Sequence, residues 1–163
     1  MLLYKMRFGL ILTVLFLFSC SNAKFNKDIK NKLSCVEIGQ VNSIEESECY
    51  SYLRQLFHSS SNTEYLLNFT LEHTEDNLAI SKSSDVVRKS LTQVVKFELQ
   101  DKATDKILLK DTISLHSSYS LNTEPLVSYA QMDSNKKFLA RRAAEVLRYR
   151  LINFFHKKLQ RSL

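Results

Sequence analysis

The chain has 163 residues, and 23 Lys and Arg outweigh 17 Asp and Glu to give a net charge of +6. With 44% hydrophobic and 25% charged residues it is ordinary globular material, and two glycines and one proline exclude collagen-like and low-complexity designs. The length suits one domain, and three cysteines are too few for a disulfide scaffold.

Lys5 and Arg7 precede the apolar run FGLILTVLFLF, Phe8 to Phe18. A membrane-spanning helix needs about 20 apolar residues, so this run fits the core of a secretory signal peptide instead. It stops at LFSC, Leu17 to Cys20, and turns polar at once. An aliphatic residue three before the cysteine and a small one just before it are the lipobox pattern of bacterial lipoproteins. The small residue admits a peptidase, and the Cys20 thiol is the nucleophile that takes up lipid. One acyl chain holds a protein only marginally, so Cys20 is expected to carry more than one. Ser21 follows, with no Asp to suggest inner-membrane retention, so the expected location is the outer membrane. The covalent lipid is the only cofactor expected. The anchored chain's basic balance then suits a membrane or an acidic ligand rather than nucleic acid.

Ser21 to Lys32 is polar and lysine-rich and reads as a tether. Val36 and Ile38 share one face of a short strand over Leu33–Val41. Ser43 to Glu46 has capping-box spacing, and Cys49, Leu53, Leu56 and Phe57 then align on one face of a helix ending near His58. In EYLLNFTLEH, Tyr65, Leu67, Phe69 and Leu71 alternate with polar residues and predict a strand over Glu64–His73, with a strand end and loop over Thr74–Ser84. A second long strand is expected over Val86–Gln100, with Leu91, Val95, Phe97 and Leu99 on one side. After a polar turn, a third covers Lys106–Leu121, with Ile107, Leu109, Ile113 and Leu115 in phase. Short links make the three an antiparallel meander. A final helix is expected over Ser134–Leu159, capped by Asp133 or Ser134, with an apolar stripe of Leu139, Ala143, Val146, Leu147, Leu151 and Phe154.

The order β-α-β-β-β-α, with one apolar face per element, predicts an α+β two-layer sandwich: two helices packed on one face of a four-stranded mixed sheet. Catalytic signatures are missing. The four histidines, His58, His73, His116 and His156, have no partner at metal-ligand spacing, and there is no GxSxG, P-loop or GxGxxG. Neither an enzyme nor a metal protein is expected. Cys35 and Cys49 could pair in an oxidising compartment, but Cys35 should point away from the helix carrying Cys49, so two separate thiols are the simpler expectation.

Taken together, the lipobox, EYLLNFTLE (Glu64–Glu72), VVRKSLTQVVKFELQD (Val86–Asp101), SSYS (Ser117–Ser120), SYA (Ser128–Ala130) and ARRAAEVLRYRL (Ala140–Leu151) resemble LptE, the LPS-assembly lipoprotein family, in its alphaproteobacterial form. Arg88, Phe97, Asp101, Tyr119, Tyr129, Ala130 and Ala143 stand at the positions carrying the likeness. The resemblance implies a signal peptide over 1–19, a lipidated tether over 20–32 and one LptE-like domain over 33–163. It implies an outer-membrane plug that assists a β-barrel LPS-assembly protein of the LptD kind and binds lipopolysaccharide. Lipid A is phosphorylated, so the candidate ligand contacts are Lys82, Arg88 and Lys89 at one inter-strand loop and Lys102 and Lys106 at the next. The alternative is an envelope lipoprotein scaffolding a secretion or cell-wall complex, because a fold of this kind does not fix function.

Overall fold

The computed structural model describes residues 27–58, 62–80, 86–121 and 124–161. Cys20, residues 1–26 generally, and the Lys82 loop lie outside that set. The elements are α1 (27–34), β1 (Val36–Ile38), α2 (Ile44–Phe57), β2 (Tyr65–Ile80), β3 (Val86–Asp101), β4 (Ile107–Ser120) and α3 (Pro125–Gln160). The sheet order is β1-β2-β3-β4, with β1 parallel to β2 and the rest antiparallel, and this is the expected α+β sandwich on a mixed sheet. Among the described residues no helix is long and apolar enough to cross a membrane.

Alternation sets the buried face. Leu67 pairs with Leu99, Phe69 with Phe97 and Leu71 with Val95, and all six are buried against the helices. Helix α2 adds Cys49, Leu53 and Phe57 at helical spacing, and α3 adds Leu139, Ala143, Leu147, Leu151 and Phe155. Ser43 caps α2 by accepting the Glu46 amide at 3.0 Å. His58 ends it in the left-handed region at φ 48°, a place where His is tolerated better than most non-glycine residues.

Five expectations are corrected. The predicted tether is helical from residue 27, and Ile29 and Leu33 enter the core, an i, i+4 pair too sparse to signal a helix by pattern alone. Strand β2 runs on to Ile80, because pairing with β3 carries the polar segment after His73. Helix α3 starts at Pro125, with no side-chain cap from Glu124, so Asp133 and Ser134 lie inside it, and Asp133 pairs with Lys137 at 2.8 Å. Its 36 residues make it about 54 Å long, as long as the sheet, whereas the 14 residues of α2 cover only one half. Lastly, a register shift beside Leu99 leaves Leu108 unpaired and turns Ile107 outward, 51% exposed, instead of in phase with Ile113. In α3 it is Phe155, not Phe154, that is fully buried.

Candidate functional site

Beyond the first turn of α2 polar groups enter the helix-side face of the sheet beside the buried Leu91. His73 and Gln93 face one another there, in register across β2 and β3. His73 Nε2 and Gln93 Oε1 lie 3.1 Å apart, and because an amide oxygen only accepts, the ring nitrogen carries the proton. Gln93 is fully buried, in the same alternation as Leu91, Val95, Phe97 and Leu99, and its Nε2 has no partner among the described residues. Burial pushes the His73 pKa below the usual imidazole value, so the ring is neutral at pH 7.

One step further along, the Glu75 carboxylate accepts from Lys89 Nζ at 3.3 Å and from the Tyr119 hydroxyl at 3.2 Å. Tyr119 is buried, and burial first, then the Glu75 charge, raises its pKa. Ser117 donates to Asn135, whose amide donates to Gln131 O at 2.8 Å, tying the front half of α3 to β4. Over this floor lies a cavity of about 210 Å³ between the start of α2 and α3, lined by Glu45, Glu48, His73, Tyr129, Met132 and Lys136. Tyr129, though it lines the cavity, is largely exposed. Its walls mix charge, apolar carbon and hydrogen-bonding groups, which fits an amphipathic ligand or partner.

The opposite sheet face is open and polar. Lys96 pairs with Glu72 at 2.9 Å and Lys110 with Glu98, while Thr92 Oγ1 and His116 Nδ1 lie 3.0 Å apart. A depression of about 480 Å³ crosses it over Asn68, Thr70, Lys96, Glu98, Lys110 and Thr112.

The sequence-derived cations do not converge. Arg88 is on the open face, donating to Ser118 Oγ at 2.7 Å, and its neighbour Lys89 is on the helix side with Glu75. Lys102 and Lys106 are at the far end of β3, about 45 Å away at strand rise. Lys102 bonds Glu37 at 2.6 Å and Thr63 at 2.8 Å, and the Lys102 hydrogen bond holds the Glu37 carboxyl below its ordinary value. Lys82 lies outside the described residues. The two inter-strand loops named from the sequence therefore lie at opposite poles of the sheet, as successive links of an antiparallel meander must. Cys35 and Cys49 are separate free thiols, and no three His, Cys, Asp or Glu groups among the described residues are placed to hold a metal. The polar members of the buried face, Gln93 with His73 and Glu46 on α2, escaped the sequence reading. The signal for Gln93 was its phase, a lone amide in an otherwise apolar alternation.

No protein-family model matches the chain. Over 133 residues it is 31% identical to the uncharacterized protein RP188 of Rickettsia prowazekii strain Madrid E, covering 82% of each chain. Among solved structures, a protein of Caulobacter crescentus CB15 assigned to the lipoproteins aligns over 80% of this chain and 97% of its own, at 17% identity and a TM-score of 0.66. Lipoprotein B of Nitrosomonas europaea aligns over 77% and 86% at 16% identity and 0.61. Rare lipoprotein B of Shewanella oneidensis aligns over 77% and 95% at 14% identity and 0.57. At these identities the likeness concerns the fold.

Proposed function

The chain belongs to the family of the Rickettsia prowazekii protein RP188, and on that premise we propose that it is an outer-membrane lipoprotein of the LPS-assembly type. In this reading it is anchored through Cys20, plugs and helps assemble a β-barrel translocon, and binds lipopolysaccharide on its way to the cell surface. The role is binding and structural, without turnover.

The observation that carries the reading is a conjunction. A lipobox cysteine stands just ahead of a domain whose fold is shared, over 77% to 80% of this chain, with lipoproteins of three other bacteria. The segment order that resembles LptE falls on β2, β3, β4 and α3 of that fold. A protein seated in a water-filled lumen has to offer polar surface to a polar wall, and the open face with Thr92, Lys96, Ser114 and His116 does so. At the hairpin end, the exposed Arg88 guanidinium is held only by a neutral hydroxyl among the described residues, which leaves donors for a phosphate.

Photocrosslinkers placed at Thr92 and at Ser120, the exposed strand partner of Arg88, in the native envelope test this. Capture of a large outer-membrane barrel from Thr92 and of lipopolysaccharide from Ser120 is the expected result. Capture of a different secretion or cell-wall complex, with no barrel, would move the protein to a scaffolding role.

A further inference from the structure

The pole opposite the Arg88 hairpin gathers three elements far apart in sequence. Tyr65, at the start of β2, lies across from Asp101 at the end of β3, and the Lys102 amide donates to Glu64 O at 3.0 Å. The end of α3 closes on the same point, with the Phe155 ring 5.2 Å from that of Tyr65. Helix α1 joins through Lys32, which pairs with Glu64 at 2.8 Å.

Exposed cations from all three elements therefore share one end: Lys30 of α1, Lys102 and Lys106 of the turn, Lys157 and Lys158 of α3. Lys106 and Lys157 make no ion pair among the described residues. Beside Lys106 the register shift points Ile107 into solvent, 51% exposed. Glu37, Glu64, Asp101 and Asp105 stand at this end too, with Glu37 and Glu64 paired to Lys102 and Lys32 and the Lys158 Nζ 5.4 Å from the centre of the Tyr65 ring, so the excess positive charge falls to Lys106 and Lys157. Excess cations beside an exposed aliphatic side chain match an anionic bilayer, where charge meets lipid phosphates and the apolar side chain enters the headgroup boundary.

We propose that this pole rests on an anionic phospholipid surface, with Lys106, Ile107, Lys157 and Lys158 as its contacts. From Cys20 to Lys27 the chain spans at most about 25 Å, so the anchor would hold the same pole near the lipid. That last step rests on the anchor proposed above; the charge and Ile107 do not. Each basic residue near such a surface strengthens partitioning roughly fivefold. Strong salt removes most of this, since the screening length falls to about 3 Å at 1 M.

The test is lysine acetylation read by mass spectrometry on the full chain as purified. It is mixed at low salt with phosphatidylcholine vesicles, with or without phosphatidylglycerol. Severalfold loss of labelling at Lys106, Lys157 and Lys158 only with phosphatidylglycerol, while Lys96 and Lys137 stay reactive, is the expected footprint. The Lys106→Glu/Lys157→Glu/Lys158→Glu variant, with unchanged thermal unfolding, should lose the association that strong salt also removes. Equal labelling on both vesicles, or protection centred on Lys96 or Lys137, overturns the proposal. The mass of the Cys20 peptide separates the two readings. An unacylated chain that still shows the footprint sinks the anchor and keeps the pole, and an acylated chain labelled evenly does the reverse.

Discussion

The Glu46 carboxylate accepts the backbone amide of Leu71 at 3.3 Å while also accepting that of Asn42 at 2.7 Å. Strand β1 pairs with β2 only as far as Leu67, so the Leu71 amide lies on an open sheet edge. One buried acid on the first turn of α2 therefore satisfies a strand edge and the segment leading into its own helix.

Glu46→Ala strands the buried Leu71 amide and returns the amide of exposed Asn42 to water, and a loss of about 1–3 kcal/mol is expected in denaturant unfolding. Glu46→Gln, which keeps one acceptor oxygen, should lose about half as much. Equal effects of the two would mean that side-chain volume, not hydrogen bonding, matters at this site.

His73 and Gln93 form a pair with one amide group left over. Replacing both, as His73→Phe with Gln93→Leu, removes the polar atoms of the pair together, and the double variant should be at least as stable as the parent. Gln93→Leu alone orphans the ring N–H and should cost about 1–2 kcal/mol. A double-mutant cycle measures the coupling, and additive effects would contradict the pairing.

The same histidine predicts a pH dependence. Its folded pKa is lowered from 6.5, chiefly by burial. The unfolded chain then binds more protons in the interval below 6.5, so stability is complete above that value and declines as pH falls toward the folded pKa. Thermal melts between neutral pH and pH 5 should show this decline. His73→Phe should remove this share of it, leaving the carboxylate contribution at lower pH.

The phase of α3 can be tested with adjacent residues. Phe155→Ala opens the core under Tyr65 and should cost about 3–5 kcal/mol, and Phe154→Ala, at a half-buried position, well under half of that. Ile107→Ser should change stability by less than about 0.5 kcal/mol, since the shifted register leaves it in solvent.

Burial, then the nearby Glu46 charge, pushes the Cys49 thiol up to about 12. Only about one thiol in ten thousand is ionised at pH 8, so iodoacetamide should modify the half-exposed Cys35 in the native protein and reach Cys49 only on unfolding. Equal native rates would show that α2 opens readily.

By itself the sequence determined the class of fold and the faces of its elements. Period-two alternation in Tyr65–Leu71 and Leu91–Leu99 is a local consequence of burying one side of a strand, and Ser43 with Glu46 marks a helix start through neighbours alone. The tertiary structure decided everything that depends on a distant partner. Residues 27–34 fold because Ile29 and Leu33 find a core supplied by α2 and α3, and β2 reaches Ile80 because β3 pairs with it. The separation of Arg88 from Lys102, the union of Lys30, Lys106 and Lys158 at one end, and the meeting of His73 with Gln93 are products of antiparallel registry. Residues close along the strand are carried to opposite faces or ends, and residues far apart are brought together, so spacing along the chain cannot report them.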